Sequence, residues 1–196
     1  MIAVIPARGG SKGIPHKNLR EVGGRPLIGR AVDTCVACPA IDLVVVSTDD
    51  DAIAGAARAA GAEIVERPAE LSGDAATSES ALLHALTALR DRDISPDVLV
   101  FVQATSPFID PDDIAGAVEQ VRSGELDVVF AAVETYEFLW AREPLRKSQY
   151  IERTKPLGNS VSIFCTKRGN VRAPPVTSRR YVGWNRSPPA QMGQAA

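Results

Sequence analysis

Short apolar runs that alternate with helix-like segments constrain the fold of this chain more than any other feature of its sequence. Residues 2–6, 43–46 and 98–102 are runs of β-branched and other apolar side chains, which is typical of strands buried on both faces. Residues 27–38 place apolar side chains at helical spacing. We therefore predict an α/β fold, with a three-layer, mostly parallel sheet and helices on both faces in a Rossmann-like arrangement.

The remaining elements follow the same alternation. Residues 7–25 are rich in Gly, Lys and Arg and predict a long loop, after which Pro26 stands where a helix can start. Gly61 stands at a helix C-cap position. The other predicted strands are 63–65 and 127–133, and the other predicted helices are 50–60, 78–90 and 111–122.

The residues that follow each strand are the ones most informative about function. In parallel sheets of this kind, ligands bind beyond the carboxyl ends of the strands. This rule selects four segments, residues 7–18, 47–51, 66–74 and 103–107.

The segment after the first strand, residues 7–18, is named here the glycine-rich loop. Its glycines let the backbone approach a ligand closely and point N–H groups at it. Its cations, in an otherwise acidic region, predict an anionic partner, for which a triphosphate is well suited. A basic surface loop is the alternative, and the spacing fits neither a Walker A motif nor a dinucleotide fingerprint. The residues concerned are Arg8, Gly9, Gly10, Ser11, Lys12, Gly13 and Lys17.

Residues 5–13 (Ile-Pro-Ala-Arg-Gly-Gly-Ser-Lys-Gly) and 17–19 (Lys-Asn-Leu) closely resemble the signature of N-acylneuraminate cytidylyltransferases, the CMP-sialic acid synthetases. The cytidylyltransferase for 3-deoxy-manno-octulosonate shares the motif in looser form and is an alternative. Residues 46–49, 67–71, 74–78 and 103–107 agree with the same family, with Ala104 in place of its proline. The resemblance implies the fold of the nucleotide-diphospho-sugar transferases.

The resemblance also implies roles for individual residues. Arg8, Ser11 and Lys12 would neutralise the outer phosphates of CTP, Lys17 would sit at the α-phosphate, and Asn18 would hold nearby oxygens or the ribose. Arg67 and Ser78 would contact the cytosine, helped by the backbone near Ala76. Gln103, with Thr105 and Ser106, would bind the sugar acid. The alternatives are a turn at Arg67-Pro68, a helix N-cap at Ser78, and a turn at Ser106-Pro107.

The implied reaction joins CMP from CTP to the anomeric hydroxyl of a nine-carbon keto sugar acid and releases pyrophosphate. Positioning and charge stabilisation would do most of the catalysis, with Arg8, Lys12 and Lys17 as the catalytic cations. Mg²⁺ is the expected cofactor, bridging the phosphates. A homodimer is expected if the family's dimerisation arm is intact.

Charge divides the chain in two. Residues 1–140 carry 11 Lys/Arg and 22 Asp/Glu, whereas residues 141–196 carry 11 Lys/Arg and only 2 Asp/Glu. We therefore predict a nucleotide-binding domain over 1–140 and an atypical basic, Pro/Arg-rich segment over 141–196. In this segment the resemblance fades to a weak similarity of residues 158–164 to a strand of the family. No Asp follows Asp127, although the family carries a metal-binding Asp pair near its C-terminus. An arm remnant, a truncated end and a frameshifted end are all hypotheses for this segment.

Other signals in the sequence have a structural explanation. The run Asp49–Asp51 is more typical of helix-dipole compensation than of metal binding, with Asp49 the best metal candidate. Cys35 and Cys38 are expected in the core, as is the helix that carries His84. His16 lies in the glycine-rich loop and could touch phosphate.

Composition also bears on where the protein is located and which kinds of partner it has. The sequence has no apolar run of about 20 residues for a membrane span and no signal-peptide pattern, so we expect a cytoplasmic protein with no membrane or nucleic-acid partner. The alternatives are a nucleotide-binding relative without catalysis, a glycosyltransferase that uses the run of three aspartates, and a nucleic-acid binder through the basic segment.

Overall fold

The computed structural model describes residues 1–10, 13–73, 76–131, 163–167 and 181–184. The strands are β1 (Ile2–Pro6), β2 (Glu21–Val22), β3 (Arg25–Pro26), β4 (Leu43–Thr48), β5 (Glu63–Glu66), β6 (Val98–Val102), β7 (Val128–Ala131), β8 (Ile163–Lys167) and β9 (Tyr181–Trp184). The helices are α1 (Leu27–Ala37), α2 (Asp51–Ala59), α3 (Ser78–Arg90) and α4 (Pro111–Arg122), with 3-10 turns at Lys17–Leu19 and Ala69–Leu71. Within these residues, seven of the strands form one sheet in the order β5-β4-β1-β6-β8-β7-β9.

The sheet is mostly parallel, as predicted. Strands β5, β4, β1 and β6 run parallel to one another, and β9 runs parallel to β7. Strand β8 is the exception, because it lies antiparallel between β6 and β7.

Helices cover both faces of the sheet, which confirms the predicted three layers. Ala3 and Ile5 of β1 point to one face, where they belong to the core cluster that includes α1, α2 and α4. Ile2 and Val4 point to the other face and join the cluster built on α3. The alternation follows from the two-residue period of a strand.

Side-chain caps mark the starts of α2, α3 and α4. Asp50 accepts a hydrogen bond from the Ile53 N–H at 2.9 Å and caps α2, while Asp51 lies in its first turn, so the helix-dipole interpretation of these two aspartates is confirmed. The suggestion that Ser78 caps α3 is wrong, because Thr77 accepts from the Ser80 N–H at 3.1 Å. None of the helices among the described residues is long and apolar enough to cross a membrane.

Residues 7–25 contain more structure than the predicted loop. They include a 3-10 turn at Lys17–Leu19 and, with Pro26, a hairpin of β2 and β3. Gly23 and Gly24 form the tip of the hairpin at φ 61° and 74°, where glycine is favoured. Two-residue strands are too short to show a period in the sequence, and for this reason the prediction missed them.

The basic segment contributes two strands to the sheet. Strand β8 pairs with both β6 and β7, and β9 extends the edge at β7. The predicted domain boundary at residue 140 stays a prediction. The sheet contains strands from both sides of that residue. The rest of this segment, residues 141–162, 168–180 and 185–196, lies outside the described residues.

The cysteine pair belongs to the core, as predicted. Cys35 and Cys38 are free thiols, 0% and 1% exposed, and both pack in the cluster with α1. Burial, together with the neighbouring Cys38, raises the pKa of the Cys35 thiol to about 12. A buried thiol that stays protonated is a poor nucleophile, so these observations favour a packing role for Cys35.

Candidate functional site

The carboxyl ends of four parallel strands meet at one edge of the sheet. Pro6 is level with Ser47, and Ser47 is level with Val65, so β1, β4 and β5 end side by side. Strand β6 pairs with the other side of β1 in the same direction. The chain therefore leaves β1 for β4 on one side and returns to β6 on the other. This reversal between β1 and β6 is the topological switch point at which open α/β sheets bind ligands.

The glycine-rich loop is fastened to the neighbouring strand as soon as it leaves β1. The Ala7 N–H donates to the Ser47 carbonyl at 2.9 Å, which continues the β1–β4 ladder by one residue. The Asn18 side chain is buried, and its Nδ2 donates to the Arg8 carbonyl at 3.1 Å. Asn18 thus ties the end of the loop to its beginning, and the predicted contact of Asn18 with a ligand stays a prediction.

Gly9 lies against the turn between β4 and α2. Its N–H donates to Asp49 Oδ1 at 3.0 Å. A Cβ built on Gly9 would lie 2.7 Å from Asp50 Oδ2 and 2.9 Å from Asp50 Cβ, whereas one built on Gly10 would meet nothing within 4 Å. Of these two adjacent glycines, only Gly9 is required by close packing.

Two of the predicted cations lie within the described part of the loop. Arg8 Nη1 donates to the Gly73 carbonyl at 3.0 Å and so joins the loops that follow β1 and β5. Lys17 is half-buried in the 3-10 turn, which His16 precedes in the left-handed region at φ 50°. Ser11 and Lys12 lie outside the described residues, and Gly10 and Gly13 are exposed.

Arg67 is buried under the same edge. Its Nε donates to Ser47 Oγ at 3.1 Å and its Nη2 donates to the Ser47 carbonyl at 2.5 Å. Burial lowers the pKa of Arg67, while the nearby Asp49 raises it and Arg8 lowers it. The guanidinium is thus close to two other charged groups of the site, and its predicted contact with a base stays a prediction.

The segment before α3 carries the other residues predicted to contact the base. The Ala76 N–H donates to the Gly73 carbonyl at 3.1 Å, and Ser78 is the exposed first residue of α3. Because Thr77 provides the helix cap, the Ser78 hydroxyl is not used for capping. Pro68 begins the 3-10 turn at Ala69–Leu71, so the turn suggested after Arg67 is present.

The loop after β6 lies on the other side of the switch point. Gln103 is half-buried, and its carbonyl accepts from the Ser106 N–H at 3.1 Å. The Thr105 hydroxyl donates to Gln103 Oε1 at 3.4 Å. Gln103, Thr105 and Ser106 therefore form one turn, as the Ser-Pro pattern indicates, beside the glycine-rich loop.

Arg30 was not predicted from the sequence. From α1, its Nε donates to the Pro107 carbonyl at 3.0 Å and its Nη1 donates to the Val22 carbonyl at 3.2 Å. The guanidinium also lies 5.5 Å from the ring centre of Phe108, which is 80% exposed. Arg30 thereby connects the β2–β3 hairpin to the loop after β6. Nothing local in the sequence indicates this, since the residues are joined only by the fold.

The described residues provide no ready-made metal centre. Among them, no three His, Cys, Asp or Glu side chains gather as metal ligands do. Asp49 accepts from Gly9 and Asp50 caps α2. The described residues therefore do not form a protein-only magnesium site.

The sequence is similar to those of known cytidylyltransferases. A cytidylyltransferase family model matches residues 2–163. N-acylneuraminate cytidylyltransferase A of Danio rerio is 38% identical over 138 residues, 70% of this chain, which spans 31% of that relative's length. Pseudaminic acid cytidylyltransferase of Campylobacter jejuni is 30% identical over 177 residues, 90% of this chain and 72% of that protein.

A solved structure agrees on the fold. A CMP:2-keto-3-deoxy-manno-octonic acid synthetase, in complex with CTP, has a TM-score of 0.61 at 20% identity, over 87% of this chain and 75% of its own. The matches to residue 163 and over 177 residues extend past residue 140. The similarity therefore continues past residue 140, and β8 lies inside the sheet there. The atypical character predicted for residues 141–196 stays a prediction. The chain belongs to the cytidylyltransferase family, with N-acylneuraminate cytidylyltransferases among its relatives.

Proposed function

We propose that this protein transfers CMP from CTP to the anomeric hydroxyl of a keto sugar acid and releases pyrophosphate. The observation that carries the proposal is the placement of Arg8 and Lys17, in the glycine-rich loop, across the switch point from the turn at Gln103. Cations on one side suit a triphosphate, and an amide side chain on the other suits a carboxylate or hydroxyl. The family and its sialic, pseudaminic and octulosonic acid relatives support the same reaction.

In the proposed reaction, the anomeric oxygen of the sugar acid forms a bond to the α-phosphorus of CTP. The bond from that phosphorus to the bridging oxygen breaks, pyrophosphate leaves with the electron pair, and the proton of the anomeric hydroxyl passes to water. Lys17 would stabilise charge at the α-phosphate, and Arg8 would stabilise the leaving pyrophosphate, with Ser11 and Lys12 from the same loop. Holding both substrates in line accounts for most of the remaining rate enhancement.

We further propose that Mg²⁺ accompanies the triphosphate. Magnesium in nucleotide sites is usually held by substrate phosphates, waters and one or two carboxylates, so it does not need an all-protein cage. When bound, it would neutralise phosphate charge. Removal of the ion with EDTA would test this proposal.

A pyrophosphate-release assay tests the reaction. The full chain would be incubated with CTP, Mg²⁺ and, in turn, N-acetylneuraminate, pseudaminate, legionaminate and 3-deoxy-manno-octulosonate. We expect release that requires both CTP and one of the acids, with little release when UTP or ATP replaces CTP. If CTP binds but no acid in the panel produces pyrophosphate, the protein is a nucleotide-binding relative without this catalysis.

Replacing Arg30 is expected to affect the KM for one substrate more than the KM for the other. Arg30→Ala removes two hydrogen bonds that fix the Pro107 carbonyl relative to the hairpin, so we expect the KM for the sugar acid to rise about tenfold. The KM for CTP should change much less, because the glycine-rich loop keeps its own ties to Asp49 and Ser47. Steady-state kinetics with each substrate varied in turn measure both values.

Arg25→Ala is the matched control. It removes an arginine whose guanidinium donates to Asp33 at 2.6 Å in an exposed ion pair, and such pairs contribute little. Arg30→Lys should rescue only in part, since lysine keeps the charge but lacks the fork. An unchanged KM for the acid in Arg30→Ala would contradict the role given to Arg30.

We also propose a homodimer and a cytoplasmic location. The dimer follows from the resemblance to a family whose arm reaches into the partner subunit. Light scattering on the purified chain would measure the oligomeric state. Fractionation of the source cells would locate the protein.

A further inference from the structure

We propose that Asp49 is a positioning residue that orients the glycine-rich loop for nucleotide binding by accepting the Gly9 N–H. This inference rests on the proposed function, since the loop is taken to bind CTP. The hydrogen bond from Gly9 to Asp49 Oδ1 is 3.0 Å long and joins residues 40 apart in the chain. It gives Asp49, the best metal candidate of the aspartate run, a partner within the protein.

The packing of Gly9 supports this role. The side chain of Asp50 fills the space where a Cβ of residue 9 would lie, so the backbone of the loop rests directly on the β4–α2 turn. In a glycine-rich anion site, backbone N–H groups commonly point at the ligand. Here the Gly9 N–H instead points at a carboxylate of the protein. Gly9 therefore anchors the loop, and phosphate binding falls to other groups of the loop.

The charges around Asp49 fit the same role. Asp49 raises the pKa of Arg67 and Arg8 lowers it, so the carboxylate and the Arg8 guanidinium both act on the charge of Arg67. Asp49 thus offsets, at Arg67, the repulsion from Arg8, while its Oδ1 accepts from the Gly9 N–H. Arg8 is in turn held to Gly73, and Asn18 is held to the Arg8 carbonyl. Without Asp49, the Gly9 N–H loses its acceptor and the loop is less ordered before CTP binds. CTP must then order the loop as it binds, and this lowers its affinity.

Two variants distinguish positioning from metal binding. Asp49→Ala removes the acceptor, and we expect the Kd for CTP, measured by calorimetry, to rise about tenfold. Asp49→Asn keeps a carbonyl oxygen that can accept the Gly9 N–H, and we expect a Kd within about threefold of the parent protein. The Mg²⁺ concentration for half-maximal activity should not change in Asp49→Asn. Asp51→Ala is the matched control, because Asp51 is exposed in the first turn of α2.

Hydrogen exchange measures the anchoring without nucleotide. The peptide that contains Gly9 should exchange faster in Asp49→Ala than in the parent or in Asp49→Asn, whereas peptides from α3 should be unaffected. If Asp49→Ala does not fold, Asp49→Leu, which also lacks an acceptor, replaces it in both measurements.

Either of two results would overturn the inference. In one, Asp49→Asn loses CTP affinity strongly and needs far more Mg²⁺, which is the behaviour of a metal ligand. In the other, Asp49→Ala binds CTP as the parent does and its Gly9 peptide exchanges at the parent rate. A parent protein that binds no CTP would instead refute the proposed function. Hydrogen exchange of the Gly9 peptide would still show whether Asp49 holds the loop.

Discussion

Replacing Lys17 with alanine is expected to lower kcat by about 100- to 1000-fold while raising the Kd for CTP only a few-fold. The reason is that charge builds at the α-phosphate in the transition state, and a cation placed there stabilises the transition state more than the bound ground state. Lys17 is suited to this because its side chain makes no hydrogen bond or ion pair with the described part of the protein, and the 3-10 turn at Lys17–Leu19 fixes its backbone. Single-turnover kinetics and CTP calorimetry on the same variant measure the two effects.

Arg20→Ala is the matched control for this prediction. Arg20 is exposed and caps the same 3-10 turn through its backbone N–H, which donates to the Lys17 carbonyl at 3.0 Å. Its side chain donates a long hydrogen bond of 3.4 Å to the Pro15 carbonyl, and Arg20→Ala leaves the backbone bond in place. We expect its kcat to stay close to that of the parent protein. Equal losses of kcat and CTP affinity in Lys17→Ala would mean that Lys17 only binds the nucleotide, and would remove it from the chemical step.

Gly9→Ala is expected to lower the free energy of unfolding by about 2 kcal/mol. The new methyl would lie 2.7 Å from Asp50 Oδ2 and 2.9 Å from Asp50 Cβ, so either the cap of α2 or the loop must move. Losing a side-chain cap costs about 1 kcal/mol, and overpacking costs about 1–3 kcal/mol. Urea unfolding measures the change.

The neighbouring glycine provides the control for this second prediction. Gly10→Ala should leave the free energy of unfolding nearly unchanged, because its Cβ would meet nothing within 4 Å. Asp50→Gly removes the atoms that clash and should cost little, since glycine is an acceptable N-cap. The double variant Gly9→Ala with Asp50→Gly should therefore be more stable than the sum of the single effects. Strict additivity, or equal losses at Gly9 and Gly10, would contradict the packing described for Gly9.

The sequence predicts the sheet edge well because its signals are local. Strand β6 and helices α3 and α4 begin and end where apolar periodicity and caps place them, and the carboxyl ends of parallel strands must meet. The glycine-rich loop is likewise recognisable from its own residues. For these reasons the carboxyl-end edge of the sheet and its cations could be inferred from the sequence.

The partners of those residues could not be inferred in the same way. The hydrogen bond between Gly9 and Asp49 joins residues 40 positions apart, and the one between Arg30 and Pro107 joins residues 77 positions apart. Such pairs exist only after β1, β4 and α1 have packed, and no local pattern records them. The antiparallel position of β8 was not predicted for a related reason, because the insertion of a short strand between β6 and β7 depends on sheet pairing and not on the strand's own periodicity.

Phosphorus-31 NMR of the complete reaction tests the central claim most directly. The protein would be incubated with CTP, Mg²⁺ and the acid that gives the most pyrophosphate. The proposed transfer predicts a new phosphodiester signal from the CMP-sugar and a pyrophosphate signal, growing in equal amounts as CTP disappears. Free CMP with pyrophosphate from the outset, or CDP with inorganic phosphate, would show attack by water or at another phosphorus and would contradict the proposed function.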